Sequence, residues 1–186
     1  MRNFLKIAQG VDVMPLLVAL HQRPDLWDQN RLRTTHELTP HKQVSDIWLR
    51  FNDLNKYEQT GDPSSVIDEH ESICYPAFHA LPQARQMIMN LMARVEGIRL
   101  GRCLITRLMP GRKIDPHVDG GEHAAYYERF HVVLQGNPGS IFRCGDETVQ
   151  MLTGEVWWFD NSVEHEVINN SAEERLHLIV DIRTIK

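Results

Sequence analysis

The stretch Pro116-His117-Val118-Asp119 sets an imidazole and a carboxylate two residues apart. On a strand, or where one frays, both side chains leave the same face. Taken alone such a pair is weak evidence of a metal, since short motifs of this kind recur by chance. His165 supplies a second imidazole further along the chain. Two imidazoles and one carboxylate on one side of a metal leave adjacent coordination positions open, an arrangement suited to ferrous iron and dioxygen. Arg175 follows ten residues after His165. Its planar guanidinium could grip a carboxylate through two parallel hydrogen bonds. The candidate site is therefore His117, Asp119 and His165 as metal ligands, with Arg175 anchoring a dicarboxylate that also chelates the metal. His-x-Asp followed by a His and then an Arg, all on strands, is far more specific than the pair alone.

Those side chains need a rigid frame. From Arg99 onward the chain reads as short strands near Arg102–Met109, Lys113–His117, Glu128–Leu134, Ser140–Cys144, Thr148–Leu152, Glu155–Phe159, His165–Ile168 and Arg175–Ile182. Turn signals separate them, among them Pro110-Gly111, Gly136-Asn137-Pro138-Gly139 and Asp160-Asn161-Ser162. This spacing predicts a mainly β fold with flanking helices, a double-sheet jelly roll of the cupin kind. In Arg129–Leu134, Arg129 and His131 share one face, and Phe130, Val132 and Leu134 the other. Arg175 and His177 likewise share a face opposite Leu176, Leu178 and Val180. Polar faces of antiparallel sheets are often simply solvated. Two strands that both offer Arg and His beside the candidate ligands favour a polar barrel mouth instead. The apolar faces would then pack outward against N-terminal helices.

Residues 1–100 read as mixed, partly helical support and residues 101–186 as the jelly-roll core, together one domain. Helices are predicted at Val13–His21 and, most clearly, at Leu81–Glu96, where Met87, Ile88, Leu91, Met92 and Val95 make an apolar stripe. Asp46–Phe51 alternates as a strand, with Ile47, Leu49 and Phe51 on one face and Trp48 and Arg50 on the other. Asn52–Pro76, with Gly61-Asp62-Pro63-Ser64-Ser65 inside it, reads as a long polar loop, a length that is usually functional or mobile.

Composition narrows the class. Hydrophobic residues at 42% and charged residues at 24% are the balance of a soluble globular domain. A net charge of −5 without a basic run argues against nucleic acid or an anionic membrane as partner. Cys74, Cys103 and Cys144 form no CxxC pair, so neither a disulfide framework nor a thiolate zinc site is indicated. Met1–Gly10 lacks a signal-peptide core, and no run approaches the ~18 apolar residues of a membrane span. A cytoplasmic location is expected, and the oligomeric state is left open.

From Arg102 to Ile182 the chain resembles the aspartyl/asparaginyl β-hydroxylase family of 2-oxoglutarate-dependent oxygenases. The matching text is Leu108-Met109-Pro110-Gly111, Ile114 to Asp119, Arg129-Phe130-His131, Gly154 to Asn161 leading to His165-Glu166-Val167, and Arg175 to Asp181. The resemblance implies a double-stranded β-helix, another name for the jelly roll. It implies that His117 and His165 bind iron and that Arg175 anchors 2-oxoglutarate. Thr106 falls at the small hydroxyl residue beside that anchor, and Arg129 and His131 match an Arg-x-His pair that helps hold the co-substrate. Some members replace the carboxylate ligand by a small residue. Asp119 is kept here, so a full triad and hydroxylation rather than halogenation are expected. The implied cofactors are Fe(II), 2-oxoglutarate and O2, the products succinate and CO2. Family substrates are aspartyl or asparaginyl side chains in proteins, free amino acids, or lipid acyl chains. An amino-acid, peptide or protein side chain is expected here.

Other residues are read more plainly. His21, His36, His41, His70 and His79 lie outside the motifs and are expected at the surface or locally bonded. His123, in the loop after Gly120, is a candidate substrate contact. Arg50, Arg112 and Arg143 are candidates for a substrate carboxylate. Trp157 and Trp158 must face opposite ways on a strand. A reading from a different class is a non-catalytic cupin-like module that binds a metal or small molecule; a retained Arg175 speaks against it, because a structural metal needs no carboxylate fork.

Overall fold

The computed structural model of the chain describes residues 1–62 and 70–185. Its strands are β1 (Phe4–Ala8), β2 (Val44–Phe51), β3 (Ile73–Cys74), β4 (Gly97–Leu108), β5 (Lys113–His117), β6 (Glu128–Gln135), β7 (Ser140–Cys144), β8 (Glu147–Val149), β9 (Val156–Phe159), β10 (His165–Asn169) and β11 (Arg175–Thr184). They pair antiparallel into two sheets, ordered β1-β9-β6-β11-β4-β2-β3 and β5-β10-β7-β8. The helices are α1 (Met14–Gln22), α2 (Leu32–Thr35), α3 (Asn55–Thr60), α4 (Pro76–Ala80), α5 (Pro82–Arg94) and α6 (Gly121–Tyr126). The fold is the jelly roll expected from strand spacing.

Alternation decides which face each strand shows. Leu176, Leu178, Val180 and Ile182 of β11 join Phe130, Val132 and Leu134 of β6 on the outer face of the large sheet. There they pack against Leu16 and Leu20 of α1 and Ile88 and Leu91 of α5. Each fully buried leucine contributes roughly 1.5–3 kcal/mol, so this layer clamps the large sheet to its helices. The opposite face meets the small sheet: Leu108, Val133, Trp157 and Phe159 pack with Ile114, Phe142, Val149 and Val167. Arg175, His131 and His177 lie on that inner face and are buried. Their polar faces are therefore interior and not solvated. Trp157 is buried between the sheets, and Trp158 packs against the outer layer.

Several elements depart from the sequence reading. In β2 the register shifts between Trp48 and Arg50. That irregularity rotates Phe51 off the Ile47–Leu49 face, and its ring stacks on Trp48 at 4.0 Å between centroids. A strand not singled out from sequence, β1, pairs with β9 at one edge of the large sheet. The loop expected over Asn52–Pro76 includes α3 and β3; Pro63-Ser64-Ser65 and its neighbours through residue 69 lie outside the described residues.

Candidate metal centre

His117 closes β5, His165 opens β10, and the two are cross-strand partners. Their ring centroids are 4.2 Å apart. His117 Nδ1 donates to the Asp115 carbonyl at 2.8 Å, and His165 Nδ1 to the Val163 carbonyl at 2.9 Å. Both rings thus keep the proton on Nδ1 and leave Nε2 as a lone pair. Asp119 follows β5; its backbone N–H donates to the Asn161 carbonyl at 3.1 Å. Asn161 belongs to the Asp160–Ser162 turn, where Asp160 Oδ1 accepts from the Ser162 N–H at 3.1 Å. That turn, read from sequence as structural, steadies the carboxylate. One potential ligand atom each from His117, Asp119 and His165 lies within 4.8 Å of the others. Burial pushes His165 down to about 4, against the opposing pull of Asp119. A neutral imidazole is the form a metal ligates.

These candidate ligands open on a cavity of about 440 Å³, which is also lined by Thr106, His131 and Arg175. Arg175 sits at the start of β11, 3% exposed. Burial lowers it to about 9, and no carboxylate pairs with it among the described residues. The Phe142 ring lies 5.9 Å from its guanidinium carbon and 6.0 Å from the His165 ring, so one aromatic side chain spans Arg175 and His165. Arg175 Nη2 donates to His177 Nδ1 at 3.1 Å. His131 Nδ1 is 3.0 Å from the same atom and must supply a second donor. Thr106 Oγ1, His131 Nε2 and His177 Nε2 are buried without a hydrogen-bond partner. An unpaired buried cation, with unpartnered buried polar atoms beside it, is the environment a carboxylate would complete. The residues present fit a divalent metal and a dicarboxylate.

Arg129 also lines the cavity, yet its guanidinium is already engaged. Nη1 donates to Asp119 Oδ2 at 2.5 Å, and Nε and Nη2 donate to Asp181 at 2.8 and 3.0 Å. Burial alone would raise the Asp181 carboxyl; Arg129 and His123 outweigh it and hold the group well below the usual carboxylate range.

The outer wall comes from residues 32–41. Arg33 forks onto Asp46 at 2.9 Å through both Nε and Nη2, and the Asp115 N–H donates to the Pro40 carbonyl at 3.2 Å. Leu38, at the tip of this wall, is 87% exposed. His41 belongs here: its ring meets that of His117 edge-on at 5.0 Å. In sequence His41 lies outside the motifs, and nothing local links it to a strand formed so much later. Arg102, whose guanidinium lies 4.7 Å from the Phe51 ring, also faces this region. Arg50, Arg112 and Arg143 do not line the cavity; Arg143 is taken by Glu164 and Glu166. His123 is buried on α6, its Nε2 3.1 Å from Asp181 Oδ2, and is not a lining residue. His177 is the one addition the sequence had signalled, through the face it shares with Arg175.

Residues 19–184 match the family model described as aspartyl/asparaginyl beta-hydroxylase. The chain belongs to that family. Over 77 residues it is 34% identical to the L-proline cis-4-hydroxylase of Rhizobium meliloti (strain 1021), which covers 41% of this chain and 28% of that relative. Over 95 residues it is 30% identical to the aspartyl/asparaginyl beta-hydroxylase of Mus musculus, covering 51% of this chain and 13% of that one. The matched spans thus amount to less than a third of those relatives' own length. A solved oxidoreductase of the 2OG-Fe(II) oxygenase family from Burkholderia pseudomallei shares the fold, with a TM-score of 0.60 at 16% identity, over 98% of this chain and 84% of that one. Among the described residues no helix of this family member is long and apolar enough to cross a membrane.

Proposed function

We propose that the chain is an Fe(II)- and 2-oxoglutarate-dependent dioxygenase that hydroxylates an aliphatic C–H bond of an amino-acid or peptidyl side chain. The observation that carries this reading is Arg175, a buried cation without a carboxylate partner among the described residues, lining the same cavity as His117, Asp119 and His165. In this reading the three ligands hold iron and Arg175 takes the far carboxylate of 2-oxoglutarate. Thr106 Oγ1 lies on the strand beside it, since Thr106 and His177 are register partners across β4 and β11. When bound, iron with 2-oxoglutarate and O2 supplies the oxidising power that replaces C–H by C–OH, with release of succinate and CO2.

The chain's own residues prepare that chemistry. The carbonyls of Asp115 and Val163 fix both imidazole tautomers. Phe142, Phe159, Ile114 and Val167 line the cavity with apolar surface, which excludes water around the reacting atoms. The substrate enters past residues 32–41 and Arg102. An aspartyl or asparaginyl side chain is the class in the family description, and proline the one in the Rhizobium meliloti relative's name; both support an amino-acid side chain.

The test is turnover. Protein loaded with Fe(II) is given 2-oxoglutarate, O2 and a panel of free amino acids and aspartyl, asparaginyl and prolyl peptides. Succinate formation that requires Fe(II) and disappears in His117→Ala is expected. Loaded protein that binds no 2-oxoglutarate in calorimetry would overturn the assignment.

A further inference from the structure

The two oxygens of Asp119 have different neighbours. Oδ1 lies 3.7 Å from His117 Nε2. Oδ2 lies 3.9 Å from His165 Nε2 and 2.5 Å from Arg129 Nη1. Every nitrogen of the Arg129 guanidinium is used, because Nε and Nη2 fork onto Asp181. Asp181 is closed on its other side by His123 Nε2 at 3.1 Å. The side chains of Asp181 and His123 are 3% and 2% exposed, those of Asp119 and Arg129 14% and 18%. Arg129 on β6 and Asp181 on β11 are register partners, so the large sheet sets their spacing. His123 lies on α6, whose first residue is two past Asp119. The series Asp119, Arg129, Asp181, His123 therefore starts and ends on one short stretch of chain, with two sheet strands between.

We propose that Arg129 is a positioning residue for the carboxylate ligand: it holds Asp119 Oδ2, leaves Oδ1 as the single oxygen offered to the metal, and is itself held by Asp181 and His123. This rests on the hydroxylase reading, which supplies the metal. Binding through one oxygen keeps the adjacent coordination positions for a chelating co-substrate and dioxygen. An arginine is needed because its fork meets two carboxylates in different directions, whereas an ammonium is a point charge. The role differs from that implied by the family resemblance, in which Arg129 helps hold 2-oxoglutarate.

The test uses Co(II) as a visible probe, titrated into the full chain without 2-oxoglutarate, with a melting curve for each variant. Arg129→Gln is expected to weaken Co(II) binding by roughly 10–100-fold, the usual effect of losing a residue that orients a ligand, and to alter the absorption bands of bound Co(II) as the carboxylate turns. Arg129→Lys restores only part. Asp181→Asn weakens Co(II) less, and the double variant Arg129→Gln/Asp181→Asn costs no more than Arg129→Gln alone, because the residues act as a unit. Should Arg129→Gln fail to fold, Asp181→Asn and His123→Gln carry the test, as both are expected to shift Co(II) affinity without touching the three ligands. Unchanged Co(II) affinity and bands in the folded variants, with 2-oxoglutarate affinity reduced, would return Arg129 to the co-substrate and overturn the proposal alone. Wild-type protein that takes up no Co(II) would overturn it together with the hydroxylase reading.

Discussion

Arg175 Nη2 donates to His177 Nδ1 over 3.1 Å, and this neutral ring is the one side-chain acceptor the buried guanidinium has among the described residues. The guanidinium stays charged at neutral pH even after burial lowers it to about 9. A buried charge without a counter-ion costs stability. Arg175→Met should therefore raise the melting temperature by several degrees while weakening 2-oxoglutarate by roughly 2–5 kcal/mol, the range for removing one partner of a buried charged pair. Scanning calorimetry and titration calorimetry on one preparation measure both. A lower melting temperature with 2-oxoglutarate affinity intact would refute this account of the anchor.

The ligand pair makes a different demand. His117→Ala and His165→Ala each remove a proposed metal ligand whose tautomer the backbone has already fixed. Each should reduce Mn(II) affinity by more than the roughly 10–100-fold seen when only an orienting residue is lost. Circular dichroism of His117→Ala should stay close to wild type, because His117 is partly exposed and only one rung of the β5–β10 pairing is touched. Equal Mn(II) binding in wild type and either variant would remove the metal from this place.

Acid should destabilise the protein within the histidine range. Burial, then the charge of Arg175, holds His131 and His177 well below 6.5. Unfolded, both rings take up protons as the pH falls through that value; folded, they do not. The unfolded state then binds more protons, so stability rises with pH there and is fully present above it. Urea midpoints should fall between about pH 7.5 and about pH 5.5, and less steeply in His177→Gln. Midpoints constant across that window would show that these rings charge freely in the folded protein.

One glycine admits no side chain. At Gly136, which follows β6, a Cβ would lie 2.2 Å from the Met151 carbonyl oxygen and 2.7 Å from Val133 Cγ1. Backbone cannot yield as a flexible side chain can, so Gly136→Ala should cost about 1–3 kcal/mol or more. At Gly120 nothing lies within 4 Å, and the same change should stay within about 0.5 kcal/mol. Denaturant unfolding of the two variants compares them directly.

The fold was legible where the period-two pattern was uninterrupted. The faces of β6 and β11 followed from alternation, and α5 from its stripe, with Pro82 at its first turn. The pattern did not say which side of a sheet is wet. His131 and His177 could equally have faced solvent until the second sheet covered them. In β2 a one-residue irregularity after Trp48 moved Phe51 to the other face, and no composition rule marks such a site. Of the candidate centre, the clustering of His117, Asp119 and His165 and the place of Arg175 on the same cavity agree with the sequence reading, because each residue falls in a short motif at a strand end. His41 could not be read in this way, since it reaches His117 through a wall folded from a distant stretch. The engagement of Arg129 by Asp119 and Asp181 depends on register between strands, which one sequence does not state.

The wall of residues 32–41 is tied at two places, by Arg33 on Asp46 and by the Pro40 carbonyl on the Asp115 N–H. Between those ties His36, Leu38 and Thr39 line the cavity, and neither His117, Asp119, His165 nor Arg175 springs from this span. The aperture can thus be re-cut independently of the floor. A stretch transplanted between the two moorings would change what is admitted while leaving the proposed iron and dicarboxylate seats as they were, so a change of diet need not disturb the floor of the cavity.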